Sequence, residues 1–212
     1  METLSFWRSV VGLRQAKKDD LRRRLYETTV ELFRERGFAA TRIKDVIEQV
    51  GVSEATFFNY FPTKEAVLHH SAAENKEWYG VFLQHLVARA DEPVSDRVQE
   101  LVRVMASVCA ADREFLATVV RRTSLFSDSS GIDKDKDVEN FQLLAAIFDQ
   151  GQQRGEISPH HSTMQLAEIF IAIQTLTITN WVTGWWGDIG DLEPRMLKAL
   201  DVMLNGCHTT TQ

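Results

Sequence analysis

Hydrophobic residues recur every three or four positions along most of the chain, which is the spacing of amphipathic α-helices. The pattern predicts a first long helix from Lys18 to Arg36. Thr41 offers a side-chain cap for a second helix, and Ser53 offers one for a third helix that spans Glu54–Tyr60. Pro62 stops the third helix. The N-terminal part of the chain therefore predicts three helices, of which the last is very short.

The remainder of the chain also has helical periodicity. It predicts helices from Lys64 to about Ala90, after Pro93, after Asp112, from about Val138 to Arg154, from Leu166 to Trp186 and from Leu192 to Leu204. The polar stretch from Ser127 to Asp137 predicts a loop. Four prolines and eleven glycines in 212 residues leave the helical pattern largely uninterrupted. We therefore predict an all-α fold.

The short third helix indicates a function. A helix of about two turns does not stabilise itself in water, so its neighbours must hold it. Val52, Phe57 and Phe61 are the predicted anchors, and Gly51 supplies the tight corner before it. Two helices joined in this way are typical of a helix-turn-helix, whose second helix enters the major groove of DNA. The residues left to face outward are Glu54, Ala55, Thr56, Asn59 and Tyr60.

The charge distribution is compatible with DNA binding by the N-terminal part. The whole chain has a net charge of −6, with 25% charged and 44% hydrophobic residues. Residues 1–70 contain 12 Lys and Arg against 10 Asp and Glu, whereas residues 71–212 contain 12 against 20. This asymmetry indicates a small, locally basic head on an acidic body.

The start of the chain and the two cysteines bear on localisation. The opening residues lack the pattern of a signal peptide, and Cys109 and Cys207 have no partner at motif spacing, so we predict free thiols in a reducing cytoplasm. The leader before the first helix carries four basic residues, Arg8, Arg14, Lys17 and Lys18. They can form a basic arm on the DNA or a disordered tail, and the sequence leaves both open.

The helix from Leu166 to Trp186 is long enough to cross a membrane. It also carries Glu168, Gln174, Asn180 and four threonines. These polar residues favour a helix packed between other helices, and we predict no membrane contact.

The stretch "LFRERGFAATRIKDVIEQVGVSEATFFNYFPTKEAVL" resembles the DNA-binding head of the TetR family of bacterial transcriptional repressors. The resemblance is strong from about Gly12 to Leu68 and only architectural beyond it. It implies a double-stranded DNA operator, a small-molecule effector, and a homodimer formed through the last two helices. It also implies an N-terminal extension (1–16), a helix-turn-helix domain (17–62) and a helical effector-binding and dimerisation domain (63–212).

The resemblance assigns DNA-contacting roles to residues that match the family motif. Base contacts are expected from Thr56 and Asn59. Phosphate contacts are expected from the residues with suitable donors, which are Thr41, Arg42, Lys44, Tyr60 and Lys64. Glu54 suits the groove only if it accepts from a cytosine amino group. Phe58 departs from the family's frequent Tyr and cannot donate a hydrogen bond to phosphate. The full set is Thr41, Arg42, Lys44, Ser53, Glu54, Ala55, Thr56, Phe58, Asn59, Tyr60 and Lys64.

The resemblance also implies an effector cavity in the second half of the chain. Its candidate lining is mostly apolar and suits a hydrophobic or amphipathic molecule. The candidates are Met105, Cys109, Phe115, Phe126, Phe148, Phe170, Gln174, Thr177, Asn180 and Trp181. Aromatic stripes at helical spacing are also what a plain core contains. Gln174, Thr177 and Asn180 weigh more, because polar groups in an apolar helix need partners.

Two other function classes compete with this interpretation. The pairs His69–His70 and His160–His161 raise the possibility of an enzyme or a metal site, but adjacent residues on a helix point in different directions. No nucleophile elbow, phosphate loop or cysteine cluster accompanies them, so we predict no catalytic residue, metal or cofactor. The second rival is a DNA-binding regulator without an effector. Our prediction is a ligand-responsive repressor released from a palindromic operator.

Overall fold

The computed structural model describes residues 2–122, 134–185, 187–188 and 190–206, with side chains for 16–122 and from 135 onward. The described residues form helices and no strand, which confirms the predicted all-α class. The helices are α1 (Glu2–Arg36), α2 (Ile43–Val50), α3 (Glu54–Tyr60), α4 (Lys64–Ala88), α5 (Val94–Ala111), α6 (Arg113–Arg122), α7 (Lys134–Gln153), α8 (Thr163–Thr183) and α9 (Leu192–Asn205).

Four predicted helix bounds were wrong by three residues or more, and one of them is the start of α8, which is Thr163 instead of Leu166. Helix α1 begins at Glu2 instead of Lys18, so the predicted extension is helical; its one glycine costs about 1 kcal/mol, too little to end a helix. Helix α7 begins at Lys134, within the predicted loop, where Asp135 and Asp137 favour a first turn. Helix α8 ends at Thr183 because Gly184 adopts a left-handed conformation with φ 65°.

The chain packs as two compact units, residues 1–70 and 71–212, which we call unit 1 and unit 2. The boundary falls within α4, eight residues after the predicted end of the helix-turn-helix domain at residue 62.

Unit 1 has a small hydrophobic core built from α1–α4. The predicted anchors Phe57 and Phe61 are buried, with ring centroids 5.9 Å apart. Gly51 turns the corner after α2 at φ 77°, and its N–H donates to Ile47 O. The core also contains Leu25, Leu32, Phe33, Phe38, Val46, Val50, Val67 and Leu68. The short helix α3 is therefore held by aromatic packing, as the sequence predicts.

Unit 2 has the larger core, drawn from α4, α5, α7, α8 and α9. Its most unusual member is Arg97 on α5, whose side chain is 0% exposed. Arg97 Nη1 donates to Leu86 O at 3.1 Å and to Gln150 Oε1 at 2.5 Å. Gln150 Nε2 in turn donates to Val87 O at 3.1 Å. The two side chains thus donate to carbonyl groups in the last turn of α4, where a helix lacks part of its backbone hydrogen bonds; Leu86 O also accepts from the Arg89 N–H at 3.2 Å.

A polar seam joins α4 to α7 within unit 2. Lys76 Nζ lies 2.7 Å from Asp137 Oδ2, and Lys136 Nζ lies 3.3 Å from Glu77 Oε2. At Gly80 the helices come so close that a Cβ would lie 2.5 Å from Oδ1 of Asn140 on α7. A glycine is required there because the near atom belongs to a buried side chain.

Helix α8 is the one helix in the described part of the chain that is long and apolar enough to cross a membrane. It packs against α6, α7 and α9, and its Gln174 and Asn180 side chains are buried. Buried amides among packed helices favour the predicted core helix over a lipid-facing one.

Candidate nucleic-acid interface

The N-terminus of α3 is fixed by a side-chain cap. Ser53 Oγ accepts a hydrogen bond from the Thr56 N–H at 3.2 Å, and the two hydroxyl groups lie 2.8 Å apart. This confirms the predicted cap, and α3 has the predicted bounds Glu54–Tyr60. Because Phe57 is anchored in the core, the opposite face of the helix is presented to solvent.

The outer face of α3 is polar at its edges and partly apolar. Glu54, Ala55 and Asn59 are exposed, and Thr56 and Tyr60 are half-buried. Phe58 is 39% exposed, and its ring meets the Phe57 ring edge-on at 5.5 Å. Helix α3 contains no Lys or Arg. Any attraction to phosphates must therefore come from residues outside the helix that would enter the groove.

The exposed cations nearest to α3 in the sequence lie at the start of α2. Arg42 occupies the N-cap position and is exposed. Lys44 is 77% exposed and lies 3.7 Å from Glu48, a surface pair that contributes little and leaves the ammonium group accessible. Both side chains are accessible from solvent, and their phosphate contacts stay a prediction.

The structure corrects the predicted role of Thr41 as the cap of α2 and a phosphate contact. The N-cap of α2 is Arg42, and Thr41 is only 2% exposed. Its hydroxyl lies within hydrogen-bonding distance of Leu32 O at 3.0 Å and Gly37 O at 2.9 Å. Thr41 therefore closes the turn between α1 and α2, and its side chain is not presented to a phosphate.

Lys64 also has a different environment from the predicted one. Its Nζ donates to Phe38 O at 2.6 Å and to Thr41 O at 3.0 Å, and it lies 4.2 Å from the centroid of the Phe38 ring. The ammonium group thus fastens the start of α4 to the turn after α1. We infer that Lys64 stabilises the packing of α4 in unit 1 and does not serve as a free phosphate contact.

These environments predict different effects for two lysine substitutions. Lys44→Ala should weaken binding to all DNA sequences alike and lower the salt slope of log K by about 1, with unchanged stability. Lys64→Met should destabilise unit 1 by about 1–3 kcal/mol, because two carbonyl groups lose their donor. Fluorescence anisotropy between about 50 and 200 mM salt, with thermal denaturation, measures both. A reduced salt slope for Lys64→Met at full stability would contradict this assignment.

Nine of the ten candidate effector residues lie in unit 2 on helices α5 to α8. Phe148 and Phe170 are buried and pack together at 6.4 Å, and Gln174 and Asn180 are buried on α8. Half-buried candidates are Met105, Cys109, Phe115, Thr177 and Trp181. Phe126 lies outside the described residues. Burial raises the pKa of the Cys109 thiol to about 11, so it stays protonated at neutral pH.

Gln174 stands out among these candidates. Its side chain is 2% exposed, and its Oε1 has no hydrogen-bond partner among the described residues. A buried amide oxygen without a donor is costly. The Thr177 hydroxyl, in contrast, donates to Ile173 O at 2.8 Å.

Sequence reasoning missed a cavity in unit 2. It has a volume of about 610 Å³ and lies at the start of α5, the 156–161 turn and the C-terminal half of α9. Its apolar lining includes Ile157, Leu166, Leu197, Leu200 and Leu204. None of the candidate effector residues lines this cavity. No local motif marks it, because its walls come from distant parts of the chain.

Unit 1 contains a short, capped helix that follows a tight turn at glycine and has one exposed face. These features are those of a helix-turn-helix DNA-binding protein. Residues 25–70 match the family model described as bacterial regulatory proteins, tetR family. The Bacillus subtilis fatty acid metabolism regulator protein is 23% identical over 192 residues, covering 87% of this chain and 94% of that relative. The Escherichia coli (strain K12) transcriptional regulator UidR is 21% identical over 162 residues, covering 74% and 79%.

Solved structures show the same fold. Thermus thermophilus FadR, a TetR-family repressor in complex with lauroyl-CoA, matches with a TM-score of 0.70 at 23% identity, covering 90% of this chain and 97% of that one. Bacillus subtilis FadR in complex with stearoyl-CoA matches with a TM-score of 0.63 at 22% identity, covering 87% and 98%. Residues 25–70 thus match the DNA-binding domain of the TetR family, and the chain is similar over most of its length to transcriptional regulators with this fold.

Proposed function

We propose that this protein is a cytoplasmic, homodimeric transcriptional repressor that an amphipathic small molecule releases from a palindromic operator. The observation that carries the proposal is α3, a seven-residue helix anchored by Phe57 with its opposite face exposed. A helix held in this way leaves its outer face accessible to a partner, and a major groove about 12 Å wide accommodates a helix. The family relatives are regulators, and we infer no enzymatic activity.

Exposed apolar side chains on and beside the last two helices support the homodimer. Ile169 and Leu176 on α8, Val202 on α9 and Trp185 just after α8 are exposed, Trp185 by 73%. Apolar side chains on neighbouring elements favour a protein partner over solvent. A twofold pair of heads would reach two half-sites about one helical turn, or 34–36 Å, apart.

Gln174 supports an effector site among α5–α8. A ligand with a hydrogen-bond donor would supply the partner that its buried Oε1 lacks among the described residues. The surrounding candidates Phe148 and Phe170 suit an apolar chain. Two FadR structures with this fold contain acyl-CoA molecules, so we propose an acyl-CoA as the effector.

The polar seam offers a route from an effector to α4. A ligand acts only through a difference in affinity between two states. We propose that an effector favours a state in which α7 is displaced and the Lys76–Asp137 and Lys136–Glu77 pairs are altered. Helix α4 begins in unit 1 and continues in unit 2. A change in the ion pairs of the seam would therefore act on the same helix that carries Lys64.

Selection of bound sites from random duplex DNA, followed by lauroyl-CoA and stearoyl-CoA titration, tests this function. We expect a palindromic site whose affinity falls on addition of acyl-CoA. Gln174→Leu should reduce that response at least tenfold, the factor that about 1.4 kcal/mol represents, without changing DNA affinity in the absence of ligand. Gln165→Leu is the matched control, because Gln165 is exposed on the same helix.

The outcomes separate this proposal from its rivals. DNA binding that no acyl-CoA alters, combined with measurable acyl-CoA binding, would show that the ligand is not an inducer. DNA binding with no acyl-CoA binding would exclude this effector class and leave a regulator with another effector or none. A site without twofold symmetry would contradict the dimeric mode of binding.

A further inference from the structure

Phe58 is an exposed aromatic residue that the core does not require. Among residues 16–70, the part of unit 1 whose side chains the structure describes, it is the one large hydrophobic side chain that is exposed. Phe57 and Phe61 already anchor α3, and both are buried. Phe58 projects from the same helix next to Ala55, which precedes it by three residues and is exposed. The two side chains form a small apolar patch on an otherwise polar outer face.

The orientation of Phe58 is supported from one side. Its ring stands at 89° to the Phe57 ring, with 5.5 Å between the centroids. Because Phe57 is buried, it provides a fixed surface against which the Phe58 ring rests. The exposed part of the ring therefore faces away from the core with restricted freedom.

The chemistry of the groove limits what Phe58 can contact. Its ring carries no hydrogen-bond donor, so it cannot donate to a phosphate or to a base acceptor. Among the base-edge groups in the major groove, the apolar one is the 5-methyl group of thymine. Burying a methyl group against an aromatic ring and the Ala55 methyl removes apolar surface from water on both sides.

We propose that Phe58, with Ala55, packs against the 5-methyl group of a thymine in each operator half-site, which makes Phe58 a specificity-determining residue. The proposal rests on the proposed DNA-binding function and names the base that this part of α3 reads. It accounts for an exposed ring at a position where a phosphate-contacting hydroxyl is absent.

Replacing thymine by uracil removes the proposed partner without altering base pairing. A site is selected from random duplex DNA, and matched duplexes are then synthesised with thymine or with deoxyuridine. We expect wild-type protein to lose affinity about fourfold for each contacted methyl group, and roughly fifteenfold when both half-sites are changed. Single replacements along the half-site then locate the thymine.

Variants separate a direct contact from an effect of the methyl group on DNA shape. Phe58→Ala should bind the thymine and uracil duplexes equally, and Phe58→Leu should keep a preference for thymine because it stays apolar. Val108→Ala, which shortens an exposed apolar side chain in unit 2, should behave as wild type. Circular dichroism confirms that each variant is folded.

Each outcome decides the proposal. Equal affinity of the wild-type protein for thymine and uracil duplexes would overturn it, as would a uracil penalty that persists unchanged in Phe58→Ala. Binding of the thymine duplex in either case would leave the proposed regulator function intact. Failure to bind any duplex at low salt would reject the regulator function and this inference together.

Discussion

Phe57→Ala is expected to unfold unit 1 and abolish DNA binding, while unit 2 stays folded. Phe57 is 0% exposed and packs against Phe58 and Phe61. Removing a buried phenyl ring costs about 3–5 kcal/mol. Total stabilities start at about 5 kcal/mol, and small units lie near that lower limit. The substitution therefore removes most of the stability of α3 and its neighbours.

Hydrogen exchange followed by mass spectrometry distinguishes the two units. Peptides from α2 and α3 should lose protection in Phe57→Ala, while peptides from α5, α7 and α8 keep it. Phe58→Ala is the matched control, since the same side chain is removed at the next position, where it is exposed. Wild-type protection of α3 in Phe57→Ala would show that Phe57 does not hold the helix.

Arg97→Ala is expected to destabilise unit 2 by about 3–5 kcal/mol, because it empties a large buried volume and removes buried hydrogen bonds. Burial lowers the pKa of the Arg97 guanidinium, yet an arginine stays protonated at neutral pH. Its removal leaves a cavity, takes the Arg97 donor from Gln150 Oε1 and leaves Leu86 O with the Arg89 N–H alone. The C-terminal end of α4 would lose one of the side chains that satisfy its carbonyls.

Two further variants separate the contributions in Arg97→Ala. Arg97→Met fills much of the volume and lacks only the donors, so we expect a smaller loss, about 1–3 kcal/mol. Arg103→Ala removes an arginine that is half exposed on the same helix, 3.9 Å from Glu193, and should change stability by less than about 1 kcal/mol. Urea denaturation measures all three. Equal stability of Arg97→Ala and Arg103→Ala would contradict the buried role.

The helix-turn-helix could be predicted from the sequence because its signals are local. Ser53 caps α3 and Pro62 follows its end, so both bounds agree with the structure. The start of α1 was predicted wrongly because the local signals in this part of the sequence conflict. Residues 2–17 contain neither a proline nor a strong stop signal, and their charged, irregular pattern resembles a tail more than a helix.

The sites were harder to predict, because side-chain environment depends on distant residues. Thr41 and Lys64 are polar residues beside a DNA-binding motif, yet both are engaged by backbone carbonyls of unit 1. Phe38, which supplies one of those carbonyls and the ring near Lys64, is 26 residues away in sequence. Arg97 was not singled out for the same reason, since only the fold brings Gln150 and the end of α4 to it.

The length of α3 limits how much of a genome one copy of the protein can distinguish. Seven residues rise about 10 Å, the extent of about three base pairs. A three-letter word recurs by chance about once every 64 base pairs, whereas a chromosome offers about a million or more competing positions. A single subunit would thus bind at a very large number of unrelated sites. Two such words at a fixed spacing recur about once every 4,000 base pairs, so a pair of subunits reduces the competing positions about 64-fold relative to one subunit.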